Sequence, residues 1–99
     1  MKIKVYQSET DSYLEMDLLG KLRYIGKSFG VDGLTNNKIY DCVGIDGGMF
    51  RIVDDSDEDY LYPINQPKAG YDHEYEGGRW EIVEVYDEKM KDALDRYVK

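Results

Sequence analysis

A chain of 99 residues has room for about one domain. Its 41% hydrophobic content, with ten Tyr, two Phe and one Trp, supplies one modest core and argues against disorder. The net charge of −8 opposes direct binding to nucleic acid, because such sites depend on clustered Lys or Arg, and it favours solubility or attraction to a basic protein surface.

Residues 1–21 are predicted to form an N-terminal extension. The opening MKIKVYQ lacks the apolar core of a signal peptide, and no apolar run approaches the roughly 20 residues that span a membrane, so we expect a cytoplasmic protein. Residues 2–6 alternate weakly and predict an edge strand. The next segment, SETDSYLEMDLLGK, combines capping residues, apolar residues near helical spacing and a final Gly20, and predicts a short helix.

From residue 22 the pattern changes to a period of two, which is typical of β-strands. Five segments are rich in β-branched and aromatic residues: LRYIGKSF, KIYDCVGI, MFRIV, DYLY and RWEIVEV. Asp46-Gly47-Gly48 predicts a tight hairpin turn between the second and third segments. Five short strands in so small a chain are expected to close into a barrel or to curl strongly, because an open sheet would expose its edges.

The C-terminal residues 86–98 are predicted to form an α-helix. Asp87 can cap this helix, and Arg96 and Lys99 lie near its end, where positive charge is favourable. Four apolar residues have the spacing of one helix face: Met90, Ala93, Leu94 and Tyr97. This stripe is expected to pack on the sheet of the same chain, and the alternative is a helix that faces a partner or forms a dimer.

The acidic run DDSDED, residues 54–59, allows three interpretations. Asp55, Asp57 and Asp59 have the spacing that begins a calcium-binding loop, but Tyr60 and Gln66 replace the Gly and the bidentate Glu of such a loop. We therefore expect no metal site here. The preferred interpretation is a turn whose side chains accept hydrogen bonds from local amides, and the third is an acidic patch that meets a basic partner.

Tyr60 and Tyr62 share one face of the fourth predicted strand, and Leu61 lies on the other. Either the tyrosine pair or the leucine is buried, and the pattern does not decide which. An inward Leu61 would leave two tyrosines beside the acidic run, which is the composition of an interface centre with a charged rim. The candidate binding residues are Tyr60, Tyr62, Asp55, Asp57, Glu58 and Asp59.

Four further apolar residues and the single cysteine are predicted to lie in the core. Phe50 and Ile52 are expected to face inward, with Trp80 and Ile82 as their counterparts on the last strand. Cys42, the single cysteine, is expected to be a buried and inert thiol.

Catalysis is not predicted. His73 is the single histidine and falls in a predicted loop without an identifiable nucleophile beside it, so it is expected to lie on the surface. We therefore predict a noncatalytic protein without a cofactor.

The segment GLTNNKIYDCVGIDGGMFRIVDDSDEDYLYP, flanked by LRYIGKSFG and GGRWEIVE, resembles small SH3-like barrel proteins of unknown function from Gram-positive bacteria and their phages. The resemblance covers about residues 22–85 and implies a five-stranded SH3-like barrel and a mobile-element origin, but no activity. Pro63 matches the proline that closes a strand in peptide-binding SH3 domains. Met49 replaces the tryptophan with which those domains grip proline, so recognition of PxxP peptides is not expected.

Together these observations predict a mainly β, single SH3-like domain over residues 1–99, with its core at residues 22–85, a C-terminal helix and a short N-terminal helix. The expected function is docking on a protein partner, basic or otherwise, through the aromatic and acidic surface. The alternative is an acidic mimic of nucleic acid that inhibits a host nucleic-acid-binding protein. No nucleic-acid or membrane partner is expected, and the chain is expected to be a monomer or a weak homodimer.

Overall fold

The protein is mainly β, with seven strands in two sheets and one C-terminal helix within the part that the computed structural model describes, residues 1–98. In chain order the elements are β1 (Lys2–Gln7), β2 (Ser12–Asp17), β3 (Gly20–Ile25), β4 (Ile39–Asp46), β5 (Met49–Val53), β6 (Asp59–Pro63), β7 (Arg79–Val85) and α1 (Glu88–Tyr97).

The N-terminal region is a β-hairpin, so the predicted helix before Gly20 is wrong. β1 and β2 pair antiparallel, from Lys2 opposite Asp17 to Gln7 opposite Ser12. Ser8 and Thr10, two of the three residues considered as helix caps, lie instead in the turn between these strands, because such residues also favour turns. Pairing with β1 therefore overrides the weak helical spacing of this segment.

The five predicted strands are confirmed as β3 to β7, and they form one antiparallel sheet in the order β6-β5-β4-β3-β7. β5 and β7 have the predicted bounds. Gly47 has a φ of +60° and forms with Gly48 the predicted two-residue turn between Asp46 and Met49. β4 pairs with β3 through its first half and with β5 over a longer stretch that has a register shift between Cys42 and Gly44.

The described strands form an open sheet, since no ladder joins the edge strands β6 and β7 within residues 1–98. The two edges are nevertheless linked by a side chain. Trp80 on β7 donates a hydrogen bond from Nε1 to the carbonyl oxygen of Pro63 on β6, at 3.1 Å. The sheet therefore curls far enough for its first and last strands to meet at this point.

Each face of the curled sheet packs on its own apolar cluster. The inner cluster includes Phe50 and Ile52, which are fully buried as predicted, together with Trp80. Ile82 was expected beside them but remains 37% exposed, although Trp80 on the same strand is buried. The outer cluster joins the N-terminal hairpin to the sheet through Val5, Leu18 and Val43.

The helix α1 covers one end of the inner cluster, as its apolar stripe predicts. Asp87 caps the helix by accepting a hydrogen bond from the backbone N–H of Lys89 at 3.0 Å. Met90 and Ala93 are buried in the inner cluster, whereas Tyr97 remains partly exposed. The predicted role of Lys99 at the helix end lies outside the described residues.

Candidate binding groove beside β6

The two tyrosines of β6 have different environments, an outcome that neither sequence alternative described. Tyr60 and Tyr62 lie opposite Ile52 and Phe50 on the inner face of the sheet. Tyr62 is 8% exposed, but Tyr60 is 51% exposed and Leu61, on the outer face, is 36% exposed. Tyr60 is absent from the inner cluster to which Tyr62 belongs, which shows that the core ends between them.

Tyr62 is a structural residue rather than a surface contact. Its hydroxyl donates a hydrogen bond of 2.7 Å to Oδ2 of Asp54, and its ring packs against Phe29 with 6.1 Å between the ring centroids. Burial and the adjacent Asp54 carboxylate raise the pKa of Tyr62 well above its ordinary value. The prediction that Tyr62 is part of an exposed patch is therefore not supported by its position.

The acidic run folds as the predicted turn around Asp54. This residue is buried, and its Oδ1 accepts hydrogen bonds from the backbone N–H and the hydroxyl of Ser56 at 2.9 and 2.5 Å. The backbone N–H of Asp57 donates to the carbonyl of Asp54 at 3.0 Å, and Asp57 has a φ of +68°. Asp and Ser thus satisfy local polar groups, as the turn interpretation requires.

Asp55 ties the turn to the long β3–β4 connection instead of pointing freely to solvent. Its carboxylate accepts hydrogen bonds from Lys38 Nζ at 2.7 Å, the Tyr40 hydroxyl at 2.8 Å and the Thr35 hydroxyl at 2.8 Å. Its backbone N–H donates to the carbonyl of Gly33 at 3.0 Å. Burial alone would raise the pKa of Asp55, but these donors outweigh burial and hold the pKa below its ordinary value.

Asp59 and Glu58 tie the turn to the N-terminal hairpin. Asp59 is largely buried and accepts hydrogen bonds from Arg51 Nη1 and Gln7 Nε2, each at 2.8 Å. Glu58 accepts a hydrogen bond from the backbone N–H of Ser8 at 2.8 Å. Of the six candidate binding residues, Asp57 and Tyr60 are the exposed ones.

A groove of about 800 Å³ runs beside β6. β6 contributes residues 60–63 to its lining. The β6–β7 connection contributes residues 68–71, and the β3–β4 connection contributes Phe29, Gly30, Asp32 and Gly33. A volume of this size is in the range of ligand-binding clefts. The groove thus brings three predicted site residues, Glu58, Tyr60 and Tyr62, together with two loops that the sequence did not assign to a site.

Negative charge surrounds Tyr60 in this groove. Asp32 and Glu58 are part of the lining, as is the buried Asp54. The charge of Glu58, followed by partial burial and the charges of Asp54 and Asp32, raises the pKa of the Tyr60 hydroxyl above its ordinary value. The basic residue of the lining, Lys68, donates a hydrogen bond from Nζ to the carbonyl oxygen of Tyr75 at 2.8 Å.

The loop residues of the groove were missed because their place depends on long-range contacts. Phe29 lines the groove and forms an isolated β-bridge with Leu34 within the β3–β4 connection. Tyr71, which is 74% exposed, lines the groove from the β6–β7 connection. Aromatic residues among Gly and Asp residues, such as those around Tyr71, were the available signal. That signal does not indicate which strand a loop will approach.

The other residues considered for chemistry lie outside the groove. Cys42 is fully buried, as predicted, and burial raises the pKa of its thiol to about 12. His73 is exposed on the β6–β7 connection. Within residues 1–98, no cluster of three or more His, Cys, Asp or Glu side chains is arranged to hold a metal ion.

Comparisons with models of known protein families, with curated proteins and with solved structures found no match for this sequence. In residues 1–98, no helix is both long and apolar enough to cross a membrane.

Proposed function

We propose that this protein is a noncatalytic binding module that docks on a protein partner through the groove beside β6. The observation that carries the proposal is the exposure of Tyr60 inside a groove bordered by two loops. Tyrosine is enriched at the centres of protein interfaces, because its large ring contributes contact area and its hydroxyl a hydrogen bond. Leu61 and Tyr71 extend the apolar part of the same surface.

The acidic rim supports a partner with positive charge. Asp32 and Glu58 lie in the groove, and the acidic Asp57 is exposed on the adjoining turn. Charges of this kind steer a complementary partner and add specificity, while the aromatic centre contributes most of the affinity. The proposed site therefore contains fewer residues than expected from the sequence. Tyr60, Glu58 and Asp57 remain candidates for contact with the partner, whereas Asp55 and Asp59 make hydrogen bonds within the protein.

The proposal includes a partly open, SH3-like architecture and an origin in a phage or another mobile element, in the cytoplasm. The architecture is supported by the position of β3 between β4 and β7 in one antiparallel sheet, and by the hydrogen bond with which Trp80 and Pro63 join the two edges. Met49 and Pro63, the positions compared with peptide-binding SH3 domains, both line the groove. Met49 offers no aromatic wall there, which disfavours proline-rich ligands.

The acidic mimic of nucleic acid is less well supported by the geometry. Mimicry needs an array of free carboxylates, whereas Asp54, Asp55 and Asp59 are each held by several hydrogen bonds within the protein. The net charge of −8 is the observation that keeps this alternative open to test.

Affinity capture with matched variants tests the proposed function. Tagged wild-type protein and the variants Tyr60→Ala and Tyr13→Ala would each be immobilised on beads and mixed with lysate of the cells in which the protein occurs. The beads would then be washed at about 0.15 M and about 1 M salt. Tyr13 is also an exposed tyrosine but lies on the hairpin, outside the groove, so it controls for general stickiness.

The docking module predicts a partner that survives the high-salt wash, disappears with Tyr60→Ala and is retained by Tyr13→Ala. A basic nucleic-acid enzyme that is lost at high salt and is indifferent to Tyr60→Ala would instead support the mimic. A retained partner that is insensitive to both substitution and salt would contradict both functions.

A further inference from the structure

The hydrogen-bond pattern of the β5–β6 ladder shows which backbone groups of β6 point away from the sheet. Two bonds define the pattern: Asp54 N–H donates to the Glu58 carbonyl at 3.1 Å, and Ile64 N–H donates to the Gly48 carbonyl at 2.9 Å. Hydrogen-bonded pairs alternate with non-bonded pairs in an antiparallel ladder. Tyr60 and Tyr62 therefore exchange bonds with β5, and the N–H and C=O groups of Asp59 and Leu61 point to the opposite, outer edge of the strand.

This edge is open along Asp59 and Leu61. β6 is the last strand of its sheet, and no other described segment makes a backbone hydrogen bond to either residue. Pro63 marks the end of the open stretch, because it has no N–H and its carbonyl already accepts the bond from Trp80. The edge carries no lysine and no bulge, which are common means of blocking the addition of another strand.

The groove lies beside the same strand and has a defined chemistry. On the inner side of β6 it presents the Tyr60 ring with the carboxylates of Glu58 and Asp32, while Lys68 is engaged by a loop carbonyl. On the outer side of the strand Leu61 offers an apolar contact. A strand placed along this edge would project alternate side chains to these two sides.

We propose that the partner docks by strand addition: an extended peptide segment, with Lys or Arg at alternate positions and apolar residues between them, pairs with the free edge of β6. The basic side chains lie in the groove beside Tyr60 and the carboxylates, and the apolar ones lie beside Leu61. Main-chain hydrogen bonds to Asp59 and Leu61 supply affinity, and the alternating side chains supply selectivity. This inference rests on the proposed function, for which it names the partner's chemistry and its mode of binding.

The first test is an NMR titration of ¹⁵N-labelled protein. The probe is a pool of capped synthetic peptides of about nine residues, with Lys or Arg at even positions and Val, Ile or Tyr at odd positions. We expect the largest amide shifts at Asp59 and Leu61, whose N–H groups gain partners, and small shifts at Phe50 and Ile52 within the sheet. A pool that leaves the Asp59 and Leu61 amides unchanged overturns the proposal.

Backbone methylation of the best-binding member then tests the mode of binding. One derivative is N-methylated at the even positions and the other at the odd positions, so that both keep every side chain and charge. Because the N–H groups of a strand alternate in direction, methylation in one register blocks pairing with β6, and methylation in the other leaves it intact. We expect one derivative to bind at least about tenfold more weakly than the other. Equal affinities overturn strand addition.

A pair of protein variants tests the same edge from the other side. Leu61→Pro removes the outward N–H without removing a ladder bond to β5, and Leu61→Ala keeps that N–H while shortening the side chain. We expect about a tenfold loss of affinity for Leu61→Pro and a clearly smaller loss for Leu61→Ala. If the spectrum shows that Leu61→Pro is unfolded, the methylated peptides decide alone.

Failure of this inference is distinguishable from failure of the proposed function. Peptide binding that is weakened by Tyr60→Ala but indifferent to the register of methylation leaves groove docking in place and removes strand addition. The same holds if the peptide pool does not bind while capture of the partner still depends on Tyr60. If capture does not depend on Tyr60, the proposed function itself is contradicted.

Discussion

Tyr60 and Tyr62 lie two residues apart on the same face of β6 and both line the groove, yet Tyr60 is half exposed and Tyr62 is part of the core. Their difference comes from where the inner cluster ends, since Tyr62 packs beside Phe29 and donates to Asp54, whereas Tyr60 lies past that contact. The comparison teaches that an aromatic pair in an acidic segment is not one surface. The strand's position relative to the core assigns each tyrosine a separate role.

Replacement of Tyr62 by Ala should give the largest effect in this comparison. Loss of a buried aromatic ring leaves a cavity and removes the hydrogen-bond donor to Oδ2 of Asp54, so we expect a loss of about 3–5 kcal/mol in the free energy of unfolding. Urea titration followed by circular dichroism measures this change. A loss below about 1 kcal/mol would show that Tyr62 is not a core residue.

Replacement of Asp54 by Ala should have the next largest effect. The substitution leaves the buried Tyr62 hydroxyl and the Ser56 amide without their acceptor, and we expect a loss of about 1–3 kcal/mol in the same titration. Asp57→Asn is the matched control, because Asp57 is exposed and Asn tolerates its positive φ. Equal losses for the two variants would contradict the inward role of Asp54.

The pH dependence of stability should reveal Asp55 as a smaller contribution. Its pKa is lowered in the folded state, so the stability it supplies is present above the unfolded value, near pH 4, and is lost as the pH falls through the folded pKa. Between about pH 5 and pH 2.5, we expect the unfolding free energy of the wild type to fall more than that of Asp55→Asn. Parallel curves would show that the bonds from Lys38, Tyr40 and Thr35 do not favour the ionised carboxylate.

Replacement of Tyr60 by Ala should give the smallest change in stability. Its side chain is half exposed and absent from the inner cluster, so we expect a change within about 0.5 kcal/mol in the free energy of unfolding. The contrast with Tyr62→Ala is then large, although the two substitutions are chemically the same. A loss comparable with that of Tyr62→Ala would mean that Tyr60 stabilises the fold and would weaken its assignment to binding.

Much of the sheet and the helix could be predicted because their signals are local. MFRIV and RWEIVEV became strands with the predicted bounds, and Asp87 caps the helix whose Met90 and Ala93 pack inward. In the N-terminal hairpin, β1 agrees with the edge strand predicted at residues 2–6, but β2 was missed because the segment before Gly20 carries helical spacing by itself and forms a strand only by pairing with β1. Pairing between distant segments is the information that a periodicity within one segment lacks.

The candidate site was predictable only in part for the same reason. The acidic run was recognised as a turn, but Asp55 has partners in the β3–β4 connection and Asp59 has one in the hairpin. Because of these contacts, Asp55 and Asp59, which were expected to be surface charges, are held by hydrogen bonds within the protein. Conversely, the loops that form the groove walls around Tyr60 carry no regular pattern, so the sequence could not place them beside β6.

The hydrogen bond between Trp80 and Pro63 gives the protein a built-in optical reporter. Trp80 is the one tryptophan in the chain, and its buried indole lies where the two edge strands of the curled sheet approach each other. An indole that loses this bond and meets water emits at longer wavelength, so the intrinsic fluorescence of the unlabelled protein follows the separation of β6 from β7. Separation of the two edge strands is therefore detected as a shift of the emission maximum, without a dye or a substitution.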